Sequence, residues 1–210
     1  MRPLPSSAEV VIIGGGIIGV STAYYLAKKG VREVVLLERG IMGEGATGKC
    51  AGGIRTQFST EINIQFSVLS LKVFEGFQAE FGVDPEFHQV GYLFLAAHER
   101  QWRVLKANAQ LMQTMGLDVE LLDPDEIRRR WPFLRVDDLL GGSYTGSDGY
   151  AGPNEVLQGF AKGARRLGAM LREGAEVTGI QVKNGQVQAV EMATGERVVT
   201  PISLPPGDRS

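Results

Sequence analysis

The sequence predicts an α/β fold: a Rossmann-like domain that begins with a β-α-β unit, and an inserted α+β domain built on an antiparallel sheet. An apolar strand at 9–13 leads into the glycine-rich segment 14–19, and a second apolar strand at 33–38 ends in an acid. From about residue 87 the pattern changes to shorter strands and helices separated by turn residues.

The β-α-β unit has three predicted elements. The run 9–13 is apolar after its first residue, which is typical of a parallel strand buried on both faces. A helix is predicted over 17–29, because apolar residues recur at helical spacing and Gly30 follows as a stop signal. The apolar strand 33–38 completes the unit.

The next predicted helix begins after Thr60 as its N-terminal cap. Its apolar residues recur at helical spacing, and we expect them to be core residues. This stripe consists of Phe66, Leu69, Val73, Phe74, Phe77 and Phe81.

Shorter elements are predicted in the second half. A strand at 88–95 and a helix at 99–115 precede a short helix that Asp123 caps. Pro153 begins another helix, followed by short strands at 169–172, 177–182 and 187–191. The dipeptide Asn184-Gly185 predicts a tight hairpin turn between the last two strands.

These elements suggest four segments. We assign 8–81 to the first part of the dinucleotide-binding domain, 82–150 to the inserted substrate domain and 151–200 to the returning part of the first domain. Segment 201–210 has three prolines within six residues. Because proline cannot continue a sheet, we expect this segment to be a disordered tail.

The composition excludes several classes of function. A net charge of −2 offers no basic surface for nucleic acid, and the single cysteine excludes an internal disulfide and favours a reducing, cytoplasmic compartment. No apolar run approaches the ~20 residues that span a bilayer. His88 and His98 show no metal-ligand spacing with Cys50 or any acid, so no metal is expected.

The glycine-rich segment predicts a dinucleotide site. Gly14 permits a tight turn, Gly16 permits close approach of a pyrophosphate, and Gly19 permits close packing of the helix. The helix N-terminus supplies N–H groups for phosphate. Glu38 ends the second strand, where a carboxylate can accept hydrogen bonds from a ribose diol. The alternatives are a purely structural glycine turn and a solvated acid at a strand end.

A second glycine-rich segment, 43–53, favours FAD over NAD. An NAD-dependent dehydrogenase needs no such segment directly after the second strand. The loop fits a backbone that passes along the ribityl chain and ring of an extended FAD. An NAD-dependent dehydrogenase therefore stays as a less favoured alternative.

The chain resembles the D-amino-acid-oxidase-like flavoproteins, and most of all the branch of the sarcosine oxidase β-subunit and the dye-linked L-proline dehydrogenase β-subunit. The matching segments follow the family's order from residue 8 to about 200. They are residues 10–19, 36–39, 45–55, 57–58, 90–94, 148–153 and 174–177.

The resemblance implies which residues contact FAD. A valine at the position of Val177 contacts the adenine ring through its backbone, and Val177 is expected to be a plain buried strand residue alongside that role. The other implied cofactor-binding residues are Gly14, Gly15, Gly16, Ile17, Ile18, Gly19, Glu38, Arg39, Gly45, Ala46, Thr47, Gly48, Lys49, Cys50, Gly52 and Gly53.

The resemblance also implies the chemistry. Such enzymes take a hydride equivalent from the carbon beside an amine, giving an imine and reduced flavin. The implied substrates are small secondary or tertiary amino acids of the sarcosine, dimethylglycine or proline type. The electrons then pass to oxygen or another redox carrier.

Three residues near the second glycine loop receive roles from the resemblance. Arg55 is expected to pair with the substrate carboxylate, the alternatives being an interdomain salt bridge or solvent exposure. Lys49 replaces a histidine that bonds covalently to flavin in related proteins, so we expect non-covalent FAD, with Lys49 stabilising reduced flavin. Cys50 is expected to pack as a small residue beside the ring.

Related chains are roughly twice as long, and residues 201–210 match nothing expected of them. We therefore expect the fold to be incomplete at the C-terminus, with the remainder lost or supplied by a second polypeptide. An alternative function follows, in which the chain binds FAD, or only folds, and catalyses nothing by itself.

Overall fold

The computed structural model describes residues 3–201 and 203–204. Its helices and strands alternate along the chain. In chain order they are β1 (Val10–Ile13), α1 (Ile17–Lys28), β2 (Val34–Leu37), α2 (Ala46–Lys49), β3 (Gly53–Ile54), α3 (Glu61–Glu75), α4 (Phe77–Phe81), β4 (Tyr92–Ala96), α5 (Glu99–Thr114), β5 (Glu120–Leu122), α6 (Pro124–Arg130), β6 (Gly141–Thr145), β7 (Gly149–Tyr150), α7 (Pro153–Arg166), β8 (Met170–Arg172), β9 (Val177–Lys183), β10 (Gln186–Met192), β11 (Arg197–Val199) and β12 (Ser203–Leu204).

The first compact unit comprises Met1–Ala51, Phe77–Pro85 and Gly152–Ser210. Its parallel sheet has the order β12-β1-β2-β8, and β1 pairs with β2 in register from Val10↔Val34 onward. All four residues of β2 are buried, as expected for a central strand covered on both faces. This sheet with its helices confirms the predicted Rossmann-like fold.

An aromatic core joins three helices of the first unit. Tyr24 of α1 lies edge-to-face with Phe81 of α4 and Phe160 of α7, at centroid distances of 4.9 and 5.7 Å. The Tyr24 hydroxyl donates to Glu80, which also pairs with Lys28. Burial and this hydrogen bond raise the pKa of Tyr24. Helix α1 is therefore fixed beside the sheet.

The antiparallel sheet β11-β10-β9 completes the first unit. Asn184 and Gly185 have φ of 54° and 75° in the turn between β9 and β10, so the predicted tight hairpin is confirmed. Buried side chains of this sheet and of β1 and β2 form one cluster with Ala8 and Ala175: Val11, Val35, Leu37, Val190, Met192 and Val198.

The second compact unit comprises Gly52–Gly76 and Glu86–Ala151. It contains an antiparallel sheet of order β4-β6-β5 and the antiparallel pair β3-β7. Asp123 caps α6 by accepting from Glu126 N at 2.8 Å, as predicted. Ile127 on this helix is buried in the core with Leu122 and Val136.

Three features differ from the sequence predictions. The segment Gly52–Gly76 packs with the second unit, although it lies inside the predicted segment 8–81. In the predicted disordered tail 201–210, Ser203 and Leu204 pair with Val11 and Ile12 in a parallel ladder, because neither is a proline and both N–H groups are available. Residues 202 and 205–210 of that prediction lie outside the described residues.

The predicted apolar stripe is the third difference. It is divided between α3 and α4 at Gly76, and only Phe77 and Phe81 are fully buried. Phe66 and Leu69 on α3 are 60% and 59% exposed, so the prediction that they are core residues is wrong for this chain. Helical spacing shows that the residues share a face, but it does not show that anything covers that face.

Candidate functional site

The glycine turn connects β1 to α1. Gly14 has φ of 110°, a conformation that favours glycine, and donates its N–H to Leu37 O at 2.8 Å. A Cβ on Gly19 would lie 2.0 Å from Gly14 O. Only glycine at residue 19 therefore lets the helix approach the turn this closely, which is the role that the sequence predicts for it.

The second glycine segment supplies a cap for α1. Thr47 Oγ1 accepts the N–H of Ile17 at 2.9 Å, and Gly43 N donates to Gly15 O at 3.0 Å. The Thr47 side chain therefore satisfies one of the free N–H groups at the start of α1. Its hydroxyl hydrogen is left to donate to another acceptor. A Cβ on Gly16 would meet the same hydroxyl oxygen at 3.3 Å.

Glu38 lies at the end of β2 beside the turn. Its Oε2 accepts from Gly15 N at 2.6 Å and its Oε1 accepts from Gly40 N at 2.9 Å. Each carboxylate oxygen can accept a second hydrogen bond. A Cβ on Gly15 would lie 2.9 Å from Glu38 Cβ, so glycine is also needed there. The half-buried carboxylate can thus hold the turn and still bind a diol.

Other predicted cofactor residues of the first unit differ in exposure. Lys49 and Cys50 are exposed, and Cys50 Sγ lies 3.1 Å from Thr47 O. Ile18 in the first turn of α1 is 73% exposed. Val177 is half-buried at the start of β9, where it pairs with Met192. Arg39 and Gly45 are exposed in loops, and Ala46 and Gly48 are exposed on α2.

Arg55 lies in the second unit, after Gly52, Gly53 and β3. Its guanidinium carbon is 5.0 Å from the ring centre of Phe58 and 5.5 Å from that of Phe94. Both distances allow cation–π attraction. Within the described residues Arg55 forms no ion pair and donates no hydrogen bond, so its N–H groups are available to a ligand.

Two cavities of the second unit share Arg55 and Phe58. The larger has a volume of about 540 Å³ and is also lined by Phe66 and Phe74 of α3 and by Tyr92 of β4. The smaller has a volume of about 260 Å³ and extends toward α5. A cation between apolar walls suits a small anion with an apolar body.

The segment after Arg55 is buried and polar. Asp148 Oδ1 accepts from Thr56 N at 2.9 Å and from Thr56 Oγ1 at 2.7 Å. Gln57 donates to Tyr92 O at 2.8 Å and accepts from Ser143 Oγ at 2.7 Å. Burial raises the pKa of the Asp148 carboxyl, and the hydrogen bonds from Thr56 and the charge of Arg55 oppose this shift.

A family model described as FAD dependent oxidoreductase, named DAO, matches residues 9–202. The chain belongs to the DAO family. The predicted family resemblance is thereby confirmed, and FAD is the cofactor of this family.

Three relatives of the DAO-family chain support the assignment. Human dimethylglycine dehydrogenase is 37% identical over 191 residues, covering 90% of this chain and 22% of that protein. The sarcosine oxidase subunit beta of Rhizobium meliloti (strain 1021) is 34% identical, covering 89% and 46%. The crystal structure of L-proline dehydrogenase from P. horikoshii superposes with a TM-score of 0.88 at 33% identity, covering 97% and 53%. The chain thus spans about a fifth to a half of these relatives.

The glycine turn of this DAO-family chain fits the adenosine diphosphate portion of FAD. The absence of side chains at Gly15, Gly16 and Gly19, the N-terminus of α1 and the Thr47 hydroxyl suit a pyrophosphate, and Glu38 suits a ribose diol. The residues present therefore agree with the cofactor of the family.

Sequence reasoning missed four residues of the second unit. Thr56, Gln57, Ser143 and Asp148 form buried hydrogen bonds beside Arg55. Thr56 and Gln57 follow Arg55 just after β3, and Gln57 and Asp148 lie in segments that match the family, but neither signal reveals a hydrogen-bond partner. Two further findings concern the described residues: no helix is long and apolar enough to cross a bilayer, and no three His, Cys, Asp or Glu side chains group as metal ligands.

Proposed function

We propose that this chain is the FAD-binding part of an oxidoreductase that oxidises the C–N bond of a small secondary or tertiary amino acid to an imine. The substrate type is that of sarcosine, dimethylglycine or proline. FAD, when bound, accepts the hydride equivalent from the carbon beside the nitrogen. Family membership supports the cofactor and the reaction class.

The observation that supports an amino acid as the substrate is the guanidinium of Arg55, which is available to a ligand. Phe58 and Phe94 lie beside it, and no protein carboxylate pairs with it among the described residues. A planar guanidinium forms two parallel hydrogen bonds with a carboxylate. We infer that Arg55 binds the substrate carboxylate and orients the amine end, while the aromatic rings exclude water from that face.

A substrate comparison tests this role. With an artificial electron acceptor, the FAD-loaded protein is assayed with sarcosine, dimethylglycine and proline, and with sarcosinamide, which lacks the carboxylate. Arg55→Gln should raise KM for the carboxylates by about 10- to 150-fold, since a hydrogen bond to a charged group contributes about 1.5–3 kcal/mol. The KM for the amide should change little. An equal effect on both would exclude Arg55 as the carboxylate partner.

Lys49 supports a proposal about how FAD is held. Lysine does not form the covalent flavin bond that histidine forms in related proteins, so we propose that FAD is bound without a covalent link. The exposed ammonium of Lys49 would then stabilise negative charge on reduced flavin. Lys49→Met should make the flavin harder to reduce, which a titration of its reduction potential measures.

A second candidate is a subunit that binds FAD but needs another polypeptide for catalysis. The specific observation that favours it is the similarity to a protein named as a subunit. Copurification of untagged partners, followed by gel filtration and the amine assay, tests it. Turnover by the chain alone would exclude this candidate.

The proposal also includes an electron acceptor, which is oxygen or another redox carrier, and a cytoplasmic location. Measurement of oxygen consumption tests the acceptor, and cell fractionation tests the location.

A further inference from the structure

The buried carboxylate of Asp148 belongs to the second compact unit and is one of the candidate-site residues that sequence reasoning missed. Asp148 is fully buried, yet its Oδ2 has no hydrogen-bond partner among the described residues. The hydroxyl of Thr145, at the start of the same turn, is also buried without a partner there. Unpartnered buried polar atoms are costly, so a carboxylate retained in this position points to a role other than stability.

All the hydrogen bonds that the Asp148 side chain receives come from one residue. Its Oδ1 accepts both the backbone N–H and the hydroxyl of Thr56, which is 92 positions away in the sequence. Thr56 directly follows Arg55. The carboxylate therefore fixes the backbone from which the Arg55 side chain extends.

The fixed backbone restricts the Arg55 side chain further. Gln57 is held on the other side of Thr56 by Tyr92 O and Ser143 Oγ, so two consecutive residues after Arg55 are immobilised in the interior. The guanidinium lies against the rings of Phe58 and Phe94. A long, exposed side chain otherwise loses considerable rotamer freedom on binding a ligand, and a fixed backbone reduces that loss.

We propose that Asp148 is a positioning residue, which holds the Arg55 guanidinium ready for a carboxylate ligand through its two hydrogen bonds to Thr56. This inference rests on the proposed role of Arg55. It adds a residue that does not touch the ligand and that acts through the backbone.

Four variants of the FAD-loaded protein separate hydrogen bonding from charge. Asp148→Ala removes both acceptors, whereas Asp148→Asn keeps Oδ1 as an acceptor for both Thr56 donors and removes the charge. Thr56→Val removes one donor and Thr56→Ser retains it. Thr145→Val is the matched control, because it removes a buried hydroxyl of the same turn that has no partner among the described residues.

The readout is the ratio of KM for sarcosine to KM for sarcosinamide. Asp148→Ala should raise this ratio by about 10- to 100-fold, the order of effect that a misplacement of about 1 Å produces. Thr56→Val should raise it less, and Asp148→Asn, Thr56→Ser and Thr145→Val should leave it near the parent value. If Asp148→Ala fails to fold, the comparison of the KM ratio between Thr56→Val and Thr56→Ser tests the inference instead. An unchanged ratio, or one raised equally by Thr145→Val, would overturn the inference.

A ligand-free measurement separates this inference from the proposed function. Phenylglyoxal modifies arginine, and mass spectrometry gives its rate at Arg55 in each variant. The rate should rise in Asp148→Ala and stay unchanged in Asp148→Asn and Thr145→Val. If Arg55→Gln leaves the carboxylate preference intact while the modification rates change as expected, the proposed role of Arg55 fails and the positioning role of Asp148 stands. If Arg55→Gln removes the preference and Asp148→Ala alters neither readout, the positioning inference alone fails.

Discussion

Replacing Gly16 and Gly19 separately by alanine distinguishes ligand binding from helix packing in the glycine turn. A Cβ at residue 19 would lie 2.0 Å from Gly14 O, a backbone atom, so α1 must move by more than 1 Å to relieve the overlap. A Cβ at residue 16 would meet only Thr47 Oγ1, at 3.3 Å, and a shift of a few tenths of an ångström relieves that contact. Gly19→Ala should therefore disturb the packing of α1, whereas Gly16→Ala should leave that packing nearly unchanged.

The expected magnitudes follow from these distances. Gly19→Ala should lower the free energy of unfolding of the FAD-free protein by about 1–3 kcal/mol, as overpacking does. Gly16→Ala should change it by less than about 0.5 kcal/mol. Because the methyl group at residue 16 lies where the pyrophosphate is expected to approach, one charged hydrogen bond of about 1.5–3 kcal/mol is lost, and the Kd for FAD rises about 10- to 150-fold.

Urea unfolding of the FAD-free variants and titration with FAD, followed by flavin fluorescence, measure the two quantities. Gly76→Ala is the matched control, since its Cβ would make an ordinary contact of 3.6 Å with Lys72 O and its φ is −93°. It should leave the Kd for FAD unchanged. Binding of FAD by Gly16→Ala as tight as in the parent would refute the assignment of the turn as the pyrophosphate site.

Three further predictions concern single residues. Thr47→Val should lower the free energy of unfolding by about 1 kcal/mol, because Ile17 N–H loses its cap, and Thr47→Ser should restore it in the same urea titration. Flavin should be released completely by acid precipitation, since Lys49 stands in place of the linking histidine, and flavin retained on the precipitated polypeptide would contradict non-covalent binding. The folded pKa of Asp148 is raised above its ordinary value of 3.8, so the parent loses stability as pH rises through the folded pKa and the carboxyl loses its proton. The amide of Asp148→Asn does not titrate in this range. The stability advantage of Asp148→Asn over the parent should therefore grow as pH rises above about 4. Urea unfolding of both proteins between pH 3.5 and 7 checks this, and a constant difference would contradict it.

The β-α-β unit could be predicted because its signals are local. The close approach at Gly19 and the left-handed φ of Gly14 are backbone requirements that only glycine meets, so they appear directly in the sequence. Glu38 could be predicted because it directly follows the apolar run Val34–Leu37. These residues depend on neighbours within one supersecondary unit, which is why spacing alone located them.

The contacts that organise the rest of the candidate site connect distant parts of the chain. Thr47 caps a helix that begins 30 positions earlier, and Asp148 binds Thr56 across 92 positions. The spacing of residues in the sequence does not reveal such hydrogen-bond partners, because they depend on how the loops fold in three dimensions. The family resemblance placed Thr47 and the Asp148 segment among the matching residues, but it did not show which residues of the protein they bind.

Helix α3 shows that the sequence pattern also fails to predict which apolar residues are buried. The sequence pattern correctly aligns Phe66 and Leu69 on one helical face, yet both are more than half exposed, while Phe77 is buried with Phe81 on a separate helix. The stripe is interrupted at Gly76, and Gly76 and Phe77 belong to different compact units, so residues that share a stripe in the sequence pack in different cores. Periodicity defines the faces of an element, whereas the break and the packing of neighbouring elements decide which faces become core. The burial of an apolar stripe must therefore be tested residue by residue. Phe66 is exposed and lines the larger cavity together with Arg55, so Phe66→Ala should be included when the carboxylate preference is measured.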